Sequence, residues 1–262
     1  MTTGNEQLAE LVSCTLPQRF DPLFGSVAAI RSKAQQAHTR LISLAEARDI
    51  QHRLAKQIII SKLPSPIKHV AGFDVSYLKE ENVLIAGMVL LSFPALLIEK
   101  KVIITDNIQF PYIPGYLSFR EAPGILRLIE TDGQAADICI FDGHGIAHPR
   151  GLGIAAHIGV IARKPSIGCA KKKLIGNYEM PGVTKGDYSD LVYKDKVTGA
   201  VVRTRDKVKP VYVSIGHLVN LKQSVRFILN CTTRYRLPEP TRLAHLAVTE
   251  HRKKIAGSLS LS

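Results

Sequence analysis

The sequence predicts an α/β protein built on a mixed β-sheet, in which an antiparallel meander is followed by parallel strands, with helices on both faces. Two observations predict this fold. Three consecutive runs rich in Val, Ile and Leu, at residues 69–77, 83–92 and 96–105, are separated only by polar or Pro-containing breaks, which is typical of an antiparallel meander. After them, short apolar runs alternate with segments of helical spacing, which is typical of helices that cover a sheet.

The individual elements follow from periodicity and end signals. Apolar residues recur near helical spacing from 41 to 60, which predicts a first helix before the meander. A helix at 118–130 has Ser118 as its predicted N-cap and Glu121, three residues later, as a candidate capping-box partner. The remaining predictions are strands at 137–141, 166–170, 188–193, 200–204 and 211–214 and helices at 152–162, 221–230 and 241–254.

The chain contains no internal repeat and no linker rich enough to separate two domains. Residues 37–256 therefore form one predicted domain, with an extension at residues 1–36 and a tail at residues 257–262. With 262 residues, of which 45% are hydrophobic and 22% charged, the chain has the composition of a globular protein and not of a disordered one. That length is sufficient for a substantial core.

The charge balance indicates a polyanionic partner. Lys and Arg number 35 and Asp and Glu number 22, which gives a formal net charge of +13. A surplus of this size attracts polyanions, and nucleic acid is the first candidate. Two simpler interpretations remain open on charge alone, namely general solubility and an acidic protein partner.

The sequence predicts a cytoplasmic, reducing location without a membrane anchor. The first sixteen residues are polar, so they do not resemble a signal peptide. The most apolar stretch, residues 83–98, is interrupted by Ser92 and Pro94 and is too short to cross a bilayer. The cysteines are scattered and form no C-x-x-C pair, which argues against a disulfide scaffold or a zinc ribbon. They are Cys14, Cys139, Cys169 and Cys231.

Three acidic residues occupy positions that suit a reaction centre. Asp74 lies within the first predicted strand, Asp142 ends a different strand, and Glu121 lies near the start of a helix. Carboxylates brought together from separate elements repel one another, and a hard divalent cation such as Mg²⁺ relieves that repulsion. Such a site suits phosphodiester hydrolysis. Taken singly, each acid has an ordinary explanation as a turn or cap residue.

The segment DGHGIAHPRGLGIA suggests two binding sites that we do not favour. His144 and His148 have a spacing that could suggest zinc, but Gly145 and Pro149 argue against the helix that would bring them together. The pattern at residues 151–156 fits a loose dinucleotide-binding motif, but it does not directly follow a strand. We favour an interpretation in which the small residues let the backbone approach a nucleotide.

Basic and aromatic side chains nearby are candidate nucleic-acid contacts. Arg150, or the start of the following helix, is predicted to bind a phosphate. Lys171 follows an apolar strand and is predicted to face the acidic centre, whereas Lys172 and Lys173 would meet the nucleic-acid backbone. Tyr112, between two prolines, is a candidate wedge for a base stack; the simpler alternative is a tyrosine that packs on the surface.

Taken together, five segments resemble the motifs of the endonuclease V family in the family's order. They are VAGFDVSY, PYIPGYLSFREAPGIL, DGHGIAHPRGLGIAAHIG, PSIGCAKKKLIG and PEPTRLAHLA, and the resemblance runs from about Leu41 to Lys254. It implies an RNase H-like fold and Mg²⁺-dependent cleavage, with Mn²⁺ as a substitute. The family's metal-binding carboxylates fall on Asp74, Glu121 and Asp142.

The resemblance also assigns roles to further residues. Lys171 and His245 complete the implied catalytic set, although His245 alone would be read as a boundary histidine. The implied nucleic-acid contacts, including the strand-separating Tyr112, are Tyr112, Pro114, His148, Arg150, Lys172 and Lys173. The implied lesion pocket comprises Gly115, Leu117, Gly143, Ile154, Ala170 and Leu174.

The expected function is a monomeric repair endonuclease that acts on double- or single-stranded DNA containing deoxyinosine. By resemblance it cuts the second phosphodiester bond 3′ to the lesion and leaves 3′-hydroxyl and 5′-phosphate ends. Three alternatives stay open at this point. They are an endoribonuclease specific for inosine in RNA, a nucleic-acid-binding protein without catalysis, and a nucleotide-binding enzyme that uses residues 151–156.

Overall fold

The computed structural model describes residues 43–78 and 81–259, so the predicted extension at residues 1–36 and Cys14 lie outside the described residues. Eight strands form one mixed sheet with the order β3-β2-β1-β4-β5-β8-β7-β6. The strands are β1 (His69–Leu78), β2 (Val83–Ser92), β3 (Ile98–Asn107), β4 (Ile138–Phe141), β5 (Ser166–Ala170), β6 (Tyr188–Tyr193), β7 (Lys196–Val202) and β8 (Val211–His217).

The predicted change from a meander to parallel strands is present. Strands β1, β2 and β3 pair antiparallel, whereas β4 pairs parallel with β1 and β5 pairs parallel with β4. The parallel part is short, because β8, β7 and β6 complete the sheet as antiparallel strands. Strand β7 also begins earlier than the predicted strand at 200–204, since its hairpin with β6 pairs Lys196 with Tyr193.

Five helices accompany the sheet in the described residues. They are α1 (Leu44–Ala55), α2 (Leu117–Thr131), α3 (Ile154–Ala162), α4 (Leu221–Asn230) and α5 (Glu239–Leu259). Helix α1 starts at a capping box between Ser43 and Glu46, which satisfies backbone N–H groups at the helix start. Helix α5 continues to Leu259, past residue 256, where the sequence prediction ended the domain.

The capping box predicted for Ser118 and Glu121 is wrong. The N-cap of α2 is Tyr116, which makes no side-chain cap hydrogen bond. Ser118 lies inside the helix and is buried, and its Oγ is 2.8 Å from His157 Nδ1 on α3. Glu121 instead accepts a hydrogen bond from Tyr77 on β1. Both side chains that the local sequence pattern assigned to a cap therefore form hydrogen bonds with residues from other elements.

The core occupies both faces of the sheet, as predicted. On one face Val70, Ile140 and Val213 pack with residues of α4 and α5. On the other face a second cluster, which includes Phe73 and Phe141, packs against α2 and α3. Alternate residues of β1 thus serve opposite clusters, as the pleat of a strand requires.

Three of the four cysteines lie in the described residues. Cys139, Cys169 and Cys231 are buried and form no disulfide there, and burial raises the pKa of the Cys139 thiol to about 12. Cys169 belongs to the core cluster on one face of the sheet and Cys139 to the cluster on the other face. No helix within 43–78 or 81–259 combines the length and the apolar character needed to span a membrane.

Candidate active site

A cavity of about 360 Å³ opens where β4 ends beside the middle of β1. All three predicted carboxylates line it. Its other lining residues include most of the predicted contact and pocket residues, namely Tyr112, Pro114, Gly115, Leu117, Gly143, His148, Ile154, Lys172, Lys173 and Leu174. Four predicted site residues stand outside the lining: Arg150, Ala170, Lys171 and His245. Three of these contact residues that line the cavity, whereas Ala170 is buried in β5.

Asp74 is placed by the register of the central strands. Phe73 of β1 pairs with Phe141 of β4, so Asp74 and Asp142 follow at the same level of the sheet. Asp74 Oδ2 is 2.8 Å from Nδ1 of His245 on α5. Helix α5 comes this close because Gly72 has no side chain: a Cβ there would lie 2.1 Å from the carbonyl carbon of Pro240.

The surroundings of Asp74 oppose its ionisation. Burial raises the pKa of its carboxyl, the hydrogen bond with His245 lowers it, and the negative charge of Asp142 raises it again. The net direction is upward. Additional positive charge nearby would therefore stabilise the ionised form of Asp74.

Asp142 forms an ion pair with the ammonium group of Lys171. Both residues directly follow parallel strands, β4 and β5, whose carboxyl ends meet at one edge of the sheet. The backbone carbonyl of Lys171 accepts a hydrogen bond of 2.8 Å from Nη2 of Arg236, which fixes the turn after β5. The position predicted for Lys171, facing the acidic centre, is the one observed.

Glu121 lies on α2, which covers the face of the sheet opposite to α5. Its Oε1 accepts a hydrogen bond of 2.8 Å from the hydroxyl of Tyr77. Burial raises the pKa of Glu121 to about 7, the Tyr77 hydrogen bond counteracts this rise, and the charges of Asp74 and Asp142 add to it. Sequence reasoning missed Tyr77, although strand alternation places it with Phe73 on the face that packs against α2.

The donors present have the right chemistry for a hard divalent cation. All three are carboxylates and they line one cavity. Burial, and after it the repulsion between their charges, raises the pKa of Asp74 and of Glu121. Each now binds a partner within the protein: His245, Tyr77 or Lys171. Among residues 43–78 and 81–259, no three His, Cys, Asp or Glu side chains are grouped as a ready metal site. Joint coordination of one cation therefore requires the three carboxylates to come closer together.

The loop after β4 is built by close backbone packing. A Cβ on Gly145 would lie 1.9 Å from the carbonyl oxygen of Ile215, and one on Gly153 would lie 2.3 Å from that of His144. The Ala155 N–H at the start of α3 donates to His144 O at 3.1 Å. The small residues of this segment thus let backbone approach backbone, and this N–H at the predicted phosphate site already has a partner.

The histidines of the same loop have separate partners. His144 Nε2 is 3.0 Å from the carbonyl oxygen of Lys172. His148 Nδ1 is 3.3 Å from the Arg150 backbone nitrogen, which donates to it. The residues between them form no helix, as Gly145 and Pro149 predicted.

An apolar pocket adjoins the acidic residues. Phe73 and Phe141 stack with ring centroids 5.1 Å apart and line the cavity. A Cβ on Gly143 would lie 2.6 Å from Cγ2 of Ile154, so a side chain at this position would force Ile154 to move. Tyr112, with 67% of its surface exposed, stands among the lining residues. The arrangement can accept a flat, partly apolar group next to three carboxylates.

Two predicted nucleic-acid contacts, Arg150 and His148, have partners within the protein. Arg150 Nη2 donates to the carbonyl oxygen of Gly115 at 2.5 Å, and its guanidinium lies 4.2 Å from the ring centroid of Tyr116. His148 also forms a hydrogen bond with the backbone of Gly115. Gln51, which sequence reasoning missed, contacts both Gly115 and Arg150. No local pattern marks Gln51, because its partners lie far away in the chain.

Comparisons with known proteins agree on one family. Residues 52–246 match the family model described as endonuclease V. An endonuclease V of Roseiflexus sp. (strain RS-1) is 48% identical over 202 residues, which cover 77% of this chain and 90% of the relative. The crystal structure of the endonuclease V from Streptomyces avermitilis superposes with a TM-score of 0.78 at 34% identity, covering 83% of this chain and 98% of that one.

A second solved structure contains nucleic acid. It is the endonuclease V of Ciona intestinalis in complex with a 24-mer DNA containing an inosine followed by a ribo-adenosine. Its TM-score is 0.71 at 31% identity, and the match covers 81% of this chain and 98% of that one.

Proposed function

Because the chain belongs to the endonuclease V family and has the RNase H-like fold that the resemblance implied, we propose that it nicks DNA beside deoxyinosine. The cut falls at the second phosphodiester bond on the 3′ side of the lesion and leaves 3′-hydroxyl and 5′-phosphate ends. One observation carries this proposal: a single cavity joins three carboxylates to an apolar pocket, with the exposed Tyr112 among its lining residues. The net charge of +13 favours a nucleic-acid substrate.

In this proposal Asp74 and Asp142 bind Mg²⁺, with Glu121 nearby, and Mn²⁺ substitutes for it. When bound, the cation neutralises charge on the phosphoryl oxygens and makes the attacking water more acidic. The raised pKa of Asp74 and of Glu121 supports this assignment, because burial and the neighbouring carboxylates disfavour their ionised forms and a bound cation would favour them.

Lys171 and His245 act through their present partners. The Lys171 ammonium beside Asp142 is placed to offset negative charge that develops on the scissile phosphate. His245, hydrogen-bonded to Asp74, orients that carboxylate and holds a proton at Nδ1 next to it. Lys172 and Lys173 are exposed and contact the nucleic-acid backbone.

The base is recognised in the apolar part of the cavity. Tyr112 inserts into the base stack, and the flipped hypoxanthine enters between Leu117, Ile154 and Leu174. Flipping is favoured at inosine because an I·T pair is weak. Guanine would bring an additional amino group, which a pocket fitted to hypoxanthine leaves unpaired.

A nicking assay tests the proposal directly. A duplex with one deoxyinosine is incubated with the protein and Mg²⁺, beside an undamaged duplex and a sample with chelator. We expect one nick, on the inosine strand only, with ends that a ligase can rejoin. The length of the product should show that the cut lies at the second phosphodiester bond 3′ to the inosine. Equal cutting of the undamaged duplex would reject the lesion specificity, and cutting in chelator would reject the metal.

Inosine-containing RNA is a second candidate substrate. The nucleic acid bound to the Ciona intestinalis relative carries a ribo-adenosine after the inosine, and a 2′-hydroxyl there is compatible with binding to that protein. Matched DNA and RNA oligonucleotides of one sequence, each with one inosine, distinguish the candidates by their kcat/KM ratio. If both bind and neither is cut, the protein is a nucleic-acid-binding protein without catalysis.

A further inference from the structure

Three side chains bind the backbone of Gly115, and two of them donate to its carbonyl oxygen. Gln51 Nε2 donates to this oxygen at 2.9 Å and Arg150 Nη2 donates at 2.5 Å. His148 forms a further hydrogen bond with the backbone of Gly115. Its Nδ1 accepts from the Arg150 N–H, so the neutral ring carries its proton on Nε2, the nitrogen that is able to donate to Gly115.

Gly115 belongs to the segment that carries Tyr112. We call residues 108–116 the tip loop. Gly115 has a φ of +80°, in the left-handed region that favours glycine. A Cβ at this position would lie 2.6 Å from Nη2 of Arg150. The turn after Tyr112 therefore leaves room for the guanidinium, which also lies over the ring of Tyr116.

Gln51 links these contacts to the body of the protein. It is fully buried on α1, which packs through Leu54 against α3 and through Ala47 against Phe110 of the tip loop. Its Oε1 accepts from Nε of Arg150 while its Nε2 donates to Gly115. The one amide group thus fixes both the loop carbonyl and the arginine that binds the same carbonyl.

We propose that Gln51, His148 and Arg150 are positioning residues that hold the tip loop, and that they set the preference for duplex over single-stranded substrate. The inference rests on the proposed function, because it assumes that Tyr112 separates paired strands. A duplex must be opened before its base enters the cavity, whereas a single strand needs no wedge. A loop that is held less firmly therefore impairs cutting of duplexes most.

The decisive variant is Gln51→Met, which keeps the side-chain length and removes both hydrogen bonds. Gln57→Met is its matched control, because the buried amide atoms of Gln57 have no hydrogen-bond partner among the described residues. We expect Gln51→Met to lower the duplex to single-strand ratio of kcat/KM about fivefold, as for a lost buried hydrogen bond. Gln57→Met should leave the ratio at its wild-type value. Equal losses on both substrates in Gln51→Met would overturn the proposal.

Hydrogen exchange supplies a readout that does not depend on activity. In Gln51→Met, amide exchange in peptides covering residues 111–117 should accelerate, whereas peptides from β1 and β4 should exchange as in the wild type. Unchanged exchange in the tip loop would overturn the proposal even if activity fell. Gln51→Glu, which can still accept from Arg150 but cannot donate to Gly115, should give an intermediate acceleration.

Arg150→Lys separates positioning from phosphate binding. Lysine keeps the charge but lacks the planar fork that reaches both Gly115 and Gln51. Positioning predicts a lower duplex to single-strand ratio with an unchanged salt dependence of binding. If Arg150 only binds a phosphate, lysine keeps that contact, so both the salt dependence and the ratio should stay at their wild-type values, and that outcome would overturn our assignment. Tyr112→Ala tests whether Tyr112 separates the strands. If the duplex to single-strand ratio of this variant stays at the wild-type value, that role of Tyr112 is rejected. The exchange measurement on Gln51→Met still decides whether Gln51 holds the tip loop.

Discussion

Two walls of one cavity are built in different ways. The carboxylate wall consists of Asp74, Glu121 and Asp142, and the loop wall is the tip loop with its three donors. Strand register and a helix place the carboxylates, whereas side chains from distant parts of the chain hold the loop through one carbonyl. We infer that changes in the first wall affect cleavage of every substrate, and that changes in the second affect which substrates are cut.

The largest expected effect belongs to the carboxylate wall. Asp142→Asn removes a negative charge and its ion pair with Lys171 while it keeps the side-chain shape. We expect kcat to fall by about 10²–10³-fold on duplex and single strand alike, the range for losing one electrostatic group at a reaction centre. Asp132→Asn, at a surface ion pair with Lys100, is the control and should retain full activity. Near-normal cutting by Asp142→Asn would remove Asp142 from the site.

A smaller loss is expected when only a partner of a carboxylate is removed. His245→Ala leaves Asp74 in place without its hydrogen-bond donor. We expect kcat to fall roughly 10- to 100-fold, as for residues that orient a metal ligand, with equal losses on duplex and single strand. His251→Ala, on the same helix, serves as a control. A loss confined to duplexes would contradict the division between the two walls.

Acidification should weaken one wall and spare the other. The pKa of Glu121 is raised to about 7, so its carboxyl gains a proton as the pH falls through 7 and competes with a bound cation. Burial lowers the pKa of His148 to about 4, so its neutral form and its hydrogen bonds persist at pH 6. The hydrogen bonds of the neutral His148 ring contribute fully to stability above pH 6.5, the ordinary pKa of histidine. This contribution is lost as the pH falls through about 4.

The measurements for this prediction are the Mg²⁺ affinity and the substrate ratio. Between pH 8 and pH 6 the apparent Kd for Mg²⁺, measured by calorimetry, should rise about tenfold for one displaced proton. The duplex to single-strand ratio at saturating Mg²⁺ should stay constant over the same range. In Glu121→Gln the pH dependence of the Kd should vanish. A ratio that changes with pH while the Kd does not would reverse the assignment.

The smallest effect is expected at Gly115. Gly115→Ala and Gly151→Ala both place alanine at a positive φ, and each should cost about 1 kcal/mol of stability. Only the alanine at 115 meets the Arg150 guanidinium, because the space around Gly151 is open. Gly115→Ala should therefore lower the duplex to single-strand ratio by roughly two- to threefold, since the flexible guanidinium can partly give way. An equal change in Gly151→Ala would attribute it to backbone strain alone.

The two walls also differ in how much of their structure could be predicted from the sequence. Asp142 and Lys171 could be placed because each follows a strand, and the carboxyl ends of parallel strands meet at one edge of a sheet. Asp74 could be singled out as an acid within a predicted strand. The order and type of nearly all the elements followed from periodicity. These features depend on local pattern, which the sequence carries directly.

The tip loop could not be predicted in the same way. The donors on Gly115 come from residues 51, 148 and 150, which are distant from it in the chain. A basic residue beside a glycine-rich loop is typical of a phosphate contact, so Arg150 was given that role. The prediction of a capping box was wrong for a related reason, because Ser118 forms a hydrogen bond with His157 and Glu121 forms one with Tyr77. Local rules do not register competing tertiary partners.

The exposed apolar groups around the cavity have a thermodynamic consequence. Leu117 and Leu174 keep 39% and 49% of their surfaces exposed, and Tyr112 keeps 67%. A nucleic acid seated there would bury this surface, and burial of apolar area makes the heat capacity of association negative. That part of the binding free energy does not involve counterion release, so it should persist at high ionic strength, where the contribution of the lysines fades.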